Sequence, residues 1–284
     1  MQVPEYLIRP RFPVFQGRSH FTLFTDKRTN AIVVSKKLDQ GHREIDVTNI
    51  LQGGPCLVPK LDQYALFGTP YIVMPYYKNG DLVDEAGRRI RFNKRFTEDQ
   101  AIHIIAQIII ALEHMHQKGV IHKDVKCDNI FLESSFDYDT PGKDMHVVLG
   151  DFDSAYYKHE DPDVDKYLKS AGTPSHLPPE SMSYKDRIWD SPKIDVWALG
   201  IVFYSLLHLK FPFAFHPACT EIKLMHQVLT TEKIFMADHV SSGVRDVIFK
   251  MLDINHDTRV DISWLCECDI FRDAVRFHKY RVQK

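Results

Sequence analysis

Asp124, Lys126, Asn129 and Asp151 are the residues of this chain whose types and spacing could do chemistry together. Three of them fall in one stretch, His122-Lys123-Asp124-Val125-Lys126-Cys127-Asp128-Asn129, and the fourth follows in Leu149-Gly150-Asp151-Phe152-Asp153. A carboxylate can orient a hydroxyl and accept its proton, and an ammonium can neutralise a phosphate. A carboxamide beside a second carboxylate offers magnesium the oxygen ligands it prefers. The set suits phosphoryl transfer, in which positioning and charge neutralisation do most of the work. Taken singly, an Asp or Asn in a loop is most often a turn residue. Four such types at fixed offsets are what point to a site.

A helix must deliver this loop. Thr97-Glu98-Asp99-Gln100 is a capping box, and Ile102, Ile105, Ile108, Ile109, Leu112 and Met115 then recur at helical spacing until Gly119. Ile130-Phe131-Leu132 and Val147-Val148-Leu149 read as short strands flanking the two acidic motifs. Upstream, residues 12–16, 19–25 and 31–38 read as strands, as do Cys56-Leu57-Val58 and Tyr71-Ile72-Val73-Met74. A helical pattern opening at Gly41 and stopped by Gly53-Gly54-Pro55 lies between them. Downstream, Ser191-Pro192 starts a further helix, with Ser191 as its cap.

The loop resembles the catalytic loop of eukaryotic protein kinases, H-R-D-x-K-x-x-N followed by D-F-G, of the serine/threonine type. The resemblance extends from about Phe12 to Phe271 and implies a two-lobed α+β fold. Residues 1–77 would form a small antiparallel sheet with one main helix, and 78–284 a larger, mainly helical lobe. It implies Asp124 as base with Lys126 beside it, and Asn129 and Asp151 as magnesium ligands. Val33-Val34-Ser35-Lys36 stands where the family has V-A-I-K, so Lys36 would contact the phosphates of ATP and Glu44 would hold it there. Taken alone, either residue reads as an ordinary surface charge. Val14, Phe21, Val34, Met74 and Phe131 would contact the nucleotide, and Tyr76 and Tyr77 would supply backbone hydrogen bonds to adenine. Thr173 would contact Asp124 and Lys126, and the Asp of Ile194-Asp195-Val196-Trp197 would anchor the catalytic loop. Arg259 would pair with Glu180 of Pro178-Pro179-Glu180.

The chain departs from the family pattern in several places. The glycine positions over the phosphates fall at or near Val14, Gln16 and Ser19. Lys123 replaces Arg, which offers charge without a bidentate fork. Asp153 replaces the flexible glycine after Phe152, and Asp tolerates left-handed backbone better than most residues. A second reading therefore stands beside the enzyme: a pseudokinase serving as a scaffold or allosteric module. A third is a small-molecule phosphotransferase of similar fold, against which Lys126, Thr173 and the Glu180–Arg259 pair argue.

A formal net charge of −2 over 284 residues gives no basic surface for nucleic acid or anionic membrane. The run 101–112 is too short to span a bilayer, and the first residues lack a leader pattern. Five scattered cysteines fit a reducing compartment, cytoplasmic or nuclear, with Cys266 and Cys268 read as buried thiols. The expected partners are ATP with magnesium, a protein substrate and a regulatory protein.

Overall fold

β-Branched and aromatic runs near the start of the chain pair into an antiparallel sheet in the computed structural model, which describes residues 3–8, 20–38, 43–157, 172–182, 188–213, 220–231 and 234–282. Its strands are β1 (Leu7–Ile8), β2 (Phe21–Asp26), β3 (Ile32–Lys37), β4 (Asp62–Leu66) and β5 (Thr69–Pro75), in the order β1-β2-β3-β5-β4. The register sets Lys36 between Phe21 and Ile72, and Val34 opposite Met74. Because side chains alternate along a strand, these residues share one face. The other face packs Leu7, Phe24, Val33 and Val73 together. Helix α1 (Arg43–Ile50) lies between β3 and β4 in the chain and carries the buried Glu44.

Three expectations for this half need correction or fall outside the description. The strand expected at 12–16 lies outside the described residues, as does Gly41. Leu7–Ile8, in a segment without an expected element, pairs with β2. Cys56–Val58 is not a strand. Cys56 turns left-handed (φ 55°), leaving one parallel bridge between Leu57 and Leu149. Val58 N–H donates to Leu149 O at 2.8 Å, and Leu149 N–H to Cys56 O at 2.9 Å.

The second half is mainly helical: α2 (Leu82–Arg91), α3 (Glu98–Gln117), α4 (Pro179–Met182), α5 (Lys193–His208), α6 (Glu221–Thr230), α7 (Ser242–Met251), α8 (Ile262–Glu267) and α9 (Arg272–Val282). Short strands β6 (Val120–Ile121) and β9 (Tyr156–Tyr157) pair, as do β7 (Ile130–Leu132) and β8 (Val147–Leu149). The Thr97 capping box forms as expected, with reciprocal Thr97–Gln100 bonds of 3.1 Å. Gly119 ends α3 at φ 74°, a conformation that costs glycine little. The expected Ser191 cap is corrected by one residue: Pro192 is the N-cap of α5, although Ser191 Oγ still accepts the Lys193 amide at 3.3 Å. Helix α5 is apolar nearly all round and is almost wholly buried, and α3 packs its broad apolar face beside it at the centre of the core. Leu209 closes α5 at φ 52°, a place where a glycine would be less strained. Cys266 is buried as expected, but Cys268, at the end of α8, is only partly so. Among the described residues no helix is long and apolar enough to cross a membrane.

Helix α9 docks on α3 through histidines. His278 is fully buried, with Nε2 3.0 Å from His103 Nδ1 and His146 beside it. Burial, then His103, Arg281 and His146, push its pKa down from 6.5 to about 3. Two acidic groups border the cluster: Asp99, 3.7 Å from His103 Nε2, and Asp144, which acts on His103 and His146. The unfolded chain therefore binds a proton below pH 6.5 that the native state refuses. Stability should be full above that pH and fall with acidification, at up to about 1.4 kcal/mol per pH unit from this group. Urea unfolding at pH 7.5 and 5.5 should show the loss, and His278→Leu should reduce it. Equal pH dependence in both proteins would contradict the assignment.

Candidate active site

The loop after α3 is held from beneath by a single carboxylate. Asp195 of α5 is wholly buried and accepts three bonds: from His122 N–H (2.9 Å), from Lys123 N–H (2.8 Å) and from His116 Nε2 (2.8 Å). Burial opposes its charge, but His116, His122 and the backbone donor outweigh that and hold its pKa below the usual carboxylate range. His122 Nε2 lies 3.1 Å from Gly150 O, and Asp124 N–H donates weakly to His122 Nδ1 at 3.3 Å. These contacts tie the first acidic motif to the second. Lys123 itself sits at φ 68°, a costly conformation for a residue with a Cβ. Its ammonium lies 5.4 Å from the ring of Trp189, which packs edge-on against Tyr156.

Asp124 stands in a closed polar ring. Thr173 Oγ1 donates to its Oδ1 at 2.6 Å, and Lys126 Nζ lies 2.8 Å from its Oδ2. Lys126 also donates to Thr173 Oγ1 at 2.8 Å. Asn129 Nδ2 donates to Asp124 O (2.8 Å) and Oδ2 (3.1 Å). Burial works against the Asp124 charge, but the Lys126 and Thr173 hydrogen bonds outweigh it and keep the carboxyl more acidic than usual. It is thus an ionised acceptor at neutral pH.

A second cluster faces this ring across the cleft. Lys36 Nζ lies 2.9 Å from Glu44 Oε1, 2.7 Å from Asp151 Oδ1 and 2.8 Å from Asp153 Oδ2. Burial alone would discharge the ammonium, yet the three carboxylates together raise its pKa well above the ordinary value. The left-handed residue of this motif is Asp151 (φ 64°), not Asp153. The expectation that Asp153 would fill glycine's conformational role is therefore corrected. Asp151 takes the strained backbone, and Asp153 spends its side chain on Lys36.

Between the clusters lies a cavity of about 490 Å³, within the usual size for a small-molecule site. Phe21, Val34, Met74, Tyr76, Tyr77 and Phe131 line it, with Lys36, Glu44, Asn129 and Asp151. Phe21 also reaches toward Lys36, its ring centre 6.0 Å from Nζ. Tyr77 and Phe131 stack at 5.5 Å. Gly150 lets this wall close, since a Cβ there would come within 2.5 Å of Val58. Val14 lies outside the described residues. The Tyr76 N–H donates to Ile32 O at 3.3 Å, an extension of the β3–β5 pairing. Val58 and Thr48 also line the cavity, and neither carries a recognisable sequence signal. The Asp153–Lys36 ion pair was equally hidden, because it joins residues far apart in the chain.

The donor set fits a hard divalent cation. Asn129 uses its amide nitrogen on Asp124, leaving the carbonyl oxygen for a ligand, and Asp151 faces the same cavity. Behind the site, Arg259 and Glu180 form the expected bidentate pair at 2.7 and 3.0 Å.

The family model described as protein kinase domain matches residues 21–271. The chain is 27% identical to the probable serine/threonine-protein kinase nek1 of Dictyostelium discoideum, an alignment covering 96% of this chain and 58% of that protein. It is 27% identical to CBL-interacting protein kinase 10 of Oryza sativa subsp. japonica, covering 85% and 49%. It is 30% identical to the serine/threonine protein kinase OSK3 of Oryza sativa subsp. indica, covering 76% and 39%. The chain thus spans between 39% and 58% of the length of these relatives.

Proposed function

The chain belongs to the protein kinase domain family, and from that premise we propose that it is a serine/threonine protein kinase, transferring the γ-phosphoryl group of ATP to a protein hydroxyl. One observation carries the reading: the ring in which Lys126 joins Thr173 to Asp124. An acceptor hydroxyl entering beside Asp124 meets an ionised carboxylate that can orient it and take its proton as the new O–P bond forms and the bond from the γ-phosphorus to the bridging oxygen breaks, ADP leaving. Lys126 places positive charge next to that carboxylate, where charge on the transferring group must be balanced. Lys36, held by Glu44, would meet the phosphates, while Met74, Phe131 and Tyr77 enclose the base. Asn129 and Asp151 would hold magnesium, which supplies neutralisation of the phosphate charge.

The hydroxyl preference, the protein substrate and a regulatory protein partner belong to this proposal. Three relatives are named as CBL-interacting, which supports a partner of some kind without identifying it. Residues 1–77 and 78–284 serve in it as the two lobes. A reducing compartment, cytoplasmic or nuclear, fits the free thiols.

One observation favours a pseudokinase instead: Lys36 already bears a third carboxylate, Asp153. Thermal unfolding with about 1 mM ATP, with and without magnesium, tests both readings alongside phosphate transfer to a mixture of Ser and Thr peptides. A Kd of about 10 μM would add about 2.7 kcal/mol, a shift of several degrees. Asp151→Ala should remove the magnesium-dependent part. A shift without transfer to any peptide would favour the pseudokinase; no shift would overturn nucleotide binding.

A further inference from the structure

A lysine ammonium has three N–H groups. In this protein three carboxylates, those of Glu44, Asp151 and Asp153, lie within 2.9 Å of Lys36 Nζ. The cation that should meet the phosphates is fully subscribed before a nucleotide arrives. Burial and a hydrogen bond with Asp153 raise the Glu44 pKa well above the usual carboxylate range, while, against burial, the Glu44 hydrogen bond and Lys36 hold Asp153 below it.

The three carboxylates are not equivalent. Glu44 and Lys36 side chains are each only 6% exposed, so that pair is fixed in the protein. Asp151 lines the cavity and is the proposed metal ligand. Asp153 is 59% exposed and can swing out to water without leaving a buried charge behind. It also stands where the family pattern has glycine, which has no side chain to offer.

We propose that Asp153 is a built-in competitor for the nucleotide, an autoinhibitory carboxylate that pairs with Lys36 and must release it before Lys36 can pair with the phosphates of ATP. The proposal rests on the nucleotide-binding reading of the cavity. ATP sees only the fraction of molecules in which Asp153 has let go, so its apparent Kd is raised by the inverse of that fraction. A partner or a local basic charge that draws Asp153 outward would therefore sensitise the protein to ATP.

The test compares wild type with Asp153→Asn, which keeps the shape and removes the charge, and with Asp153→Glu, which keeps the charge. The first readout is the Kd of the non-hydrolysable analogue AMP-PNP with magnesium, measured by calorimetry. The second needs no nucleotide: the rate at which acetic anhydride acetylates Lys36, followed by mass spectrometry. Asp153→Asn should tighten AMP-PNP about tenfold, the effect of a state only about one-tenth released. The gain should shrink at high salt and appear in KM for ATP rather than in kcat. Lys36 should also acetylate faster in Asp153→Asn, with Asp153→Glu near wild type. Unchanged or weaker nucleotide binding in Asp153→Asn would overturn the proposal, a magnesium-dependent weakening showing that Asp153 serves the metal instead. Should neither protein bind AMP-PNP, faster acetylation would uphold the ion pair and overturn the nucleotide-binding reading together with the competition. Unchanged acetylation would overturn the ion pair itself.

Discussion

Asp124→Asn is expected to lower phosphoryl transfer about 10³-fold, the middle of the range for losing a positioned base, with AMP-PNP binding retained. The substitution suits the ring around it. Asp124 Oδ1 accepts from Thr173, and Oδ2 faces both Asn129 Nδ2 and Lys126 Nζ. An asparagine can keep its oxygen toward the two nitrogen donors and turn its amide toward Thr173, whose hydroxyl rotates to accept. The geometry survives while the charge and the proton-accepting capacity are lost. A single-turnover assay with radiolabelled ATP reads the rate directly. Activity within tenfold of wild type would remove Asp124 from the role of base.

Arg259→Ala is expected to cost about 3–5 kcal/mol, as when one partner of a buried ion pair is removed. Arg259 is 1% exposed and does more than pair with Glu180. Its Nε donates to Asp253 O at 2.9 Å and Nη1 to Lys193 O at 3.2 Å, and the guanidinium lies 4.9 Å from the centre of the Trp197 ring. Alanine leaves a carboxylate without its cation, two carbonyls without a donor, and a void beside Trp197. Arg259→Lys should recover only part of the loss, since an ammonium cannot span both Glu180 oxygens. The midpoint of urea unfolding measures both. A cost below about 1 kcal/mol, typical of exposed pairs, would mean that the site relaxes or fills with water.

Much of the site was legible in the sequence because its signals are local. The capping box at Thr97, the apolar period through Met115 and the glycine after the helix fix where α3 starts and stops, and hence where His122 emerges. The offsets from Asp124 to Asn129 lie within one short loop. What escaped depends on how distant segments meet. Leu7–Ile8 is too short to show a period, and it is a strand only because β2 offers an edge. Cys56–Val58 carries strand-forming residues, but a left-handed turn at Cys56 breaks the run. Helix α2 has a first turn set by the Asp81 capping box, yet a largely polar sequence with no long apolar run. The Tyr76–Ile32 bond follows from sheet register, and the Asp153–Lys36 pair from the turn at Asp151. Neither can be counted off along the chain.

The reciprocal bonds between 56–58 and Leu149 have a mechanical consequence. The chain passes from the sheet half to the helical half near Tyr77, and these bonds join the halves at a second, separate place. The Lys36 pairs with Asp151 and Asp153 cross between the halves as well, at the floor of the cavity. Twisting one half against the other must therefore strain backbone bonds at one place and ion pairs at another. The backbone bonds are tied to the fold whatever the cavity holds, whereas the ion pairs are made by side chains and can be exchanged, so the angle between the halves is coupled to what Lys36 is paired with.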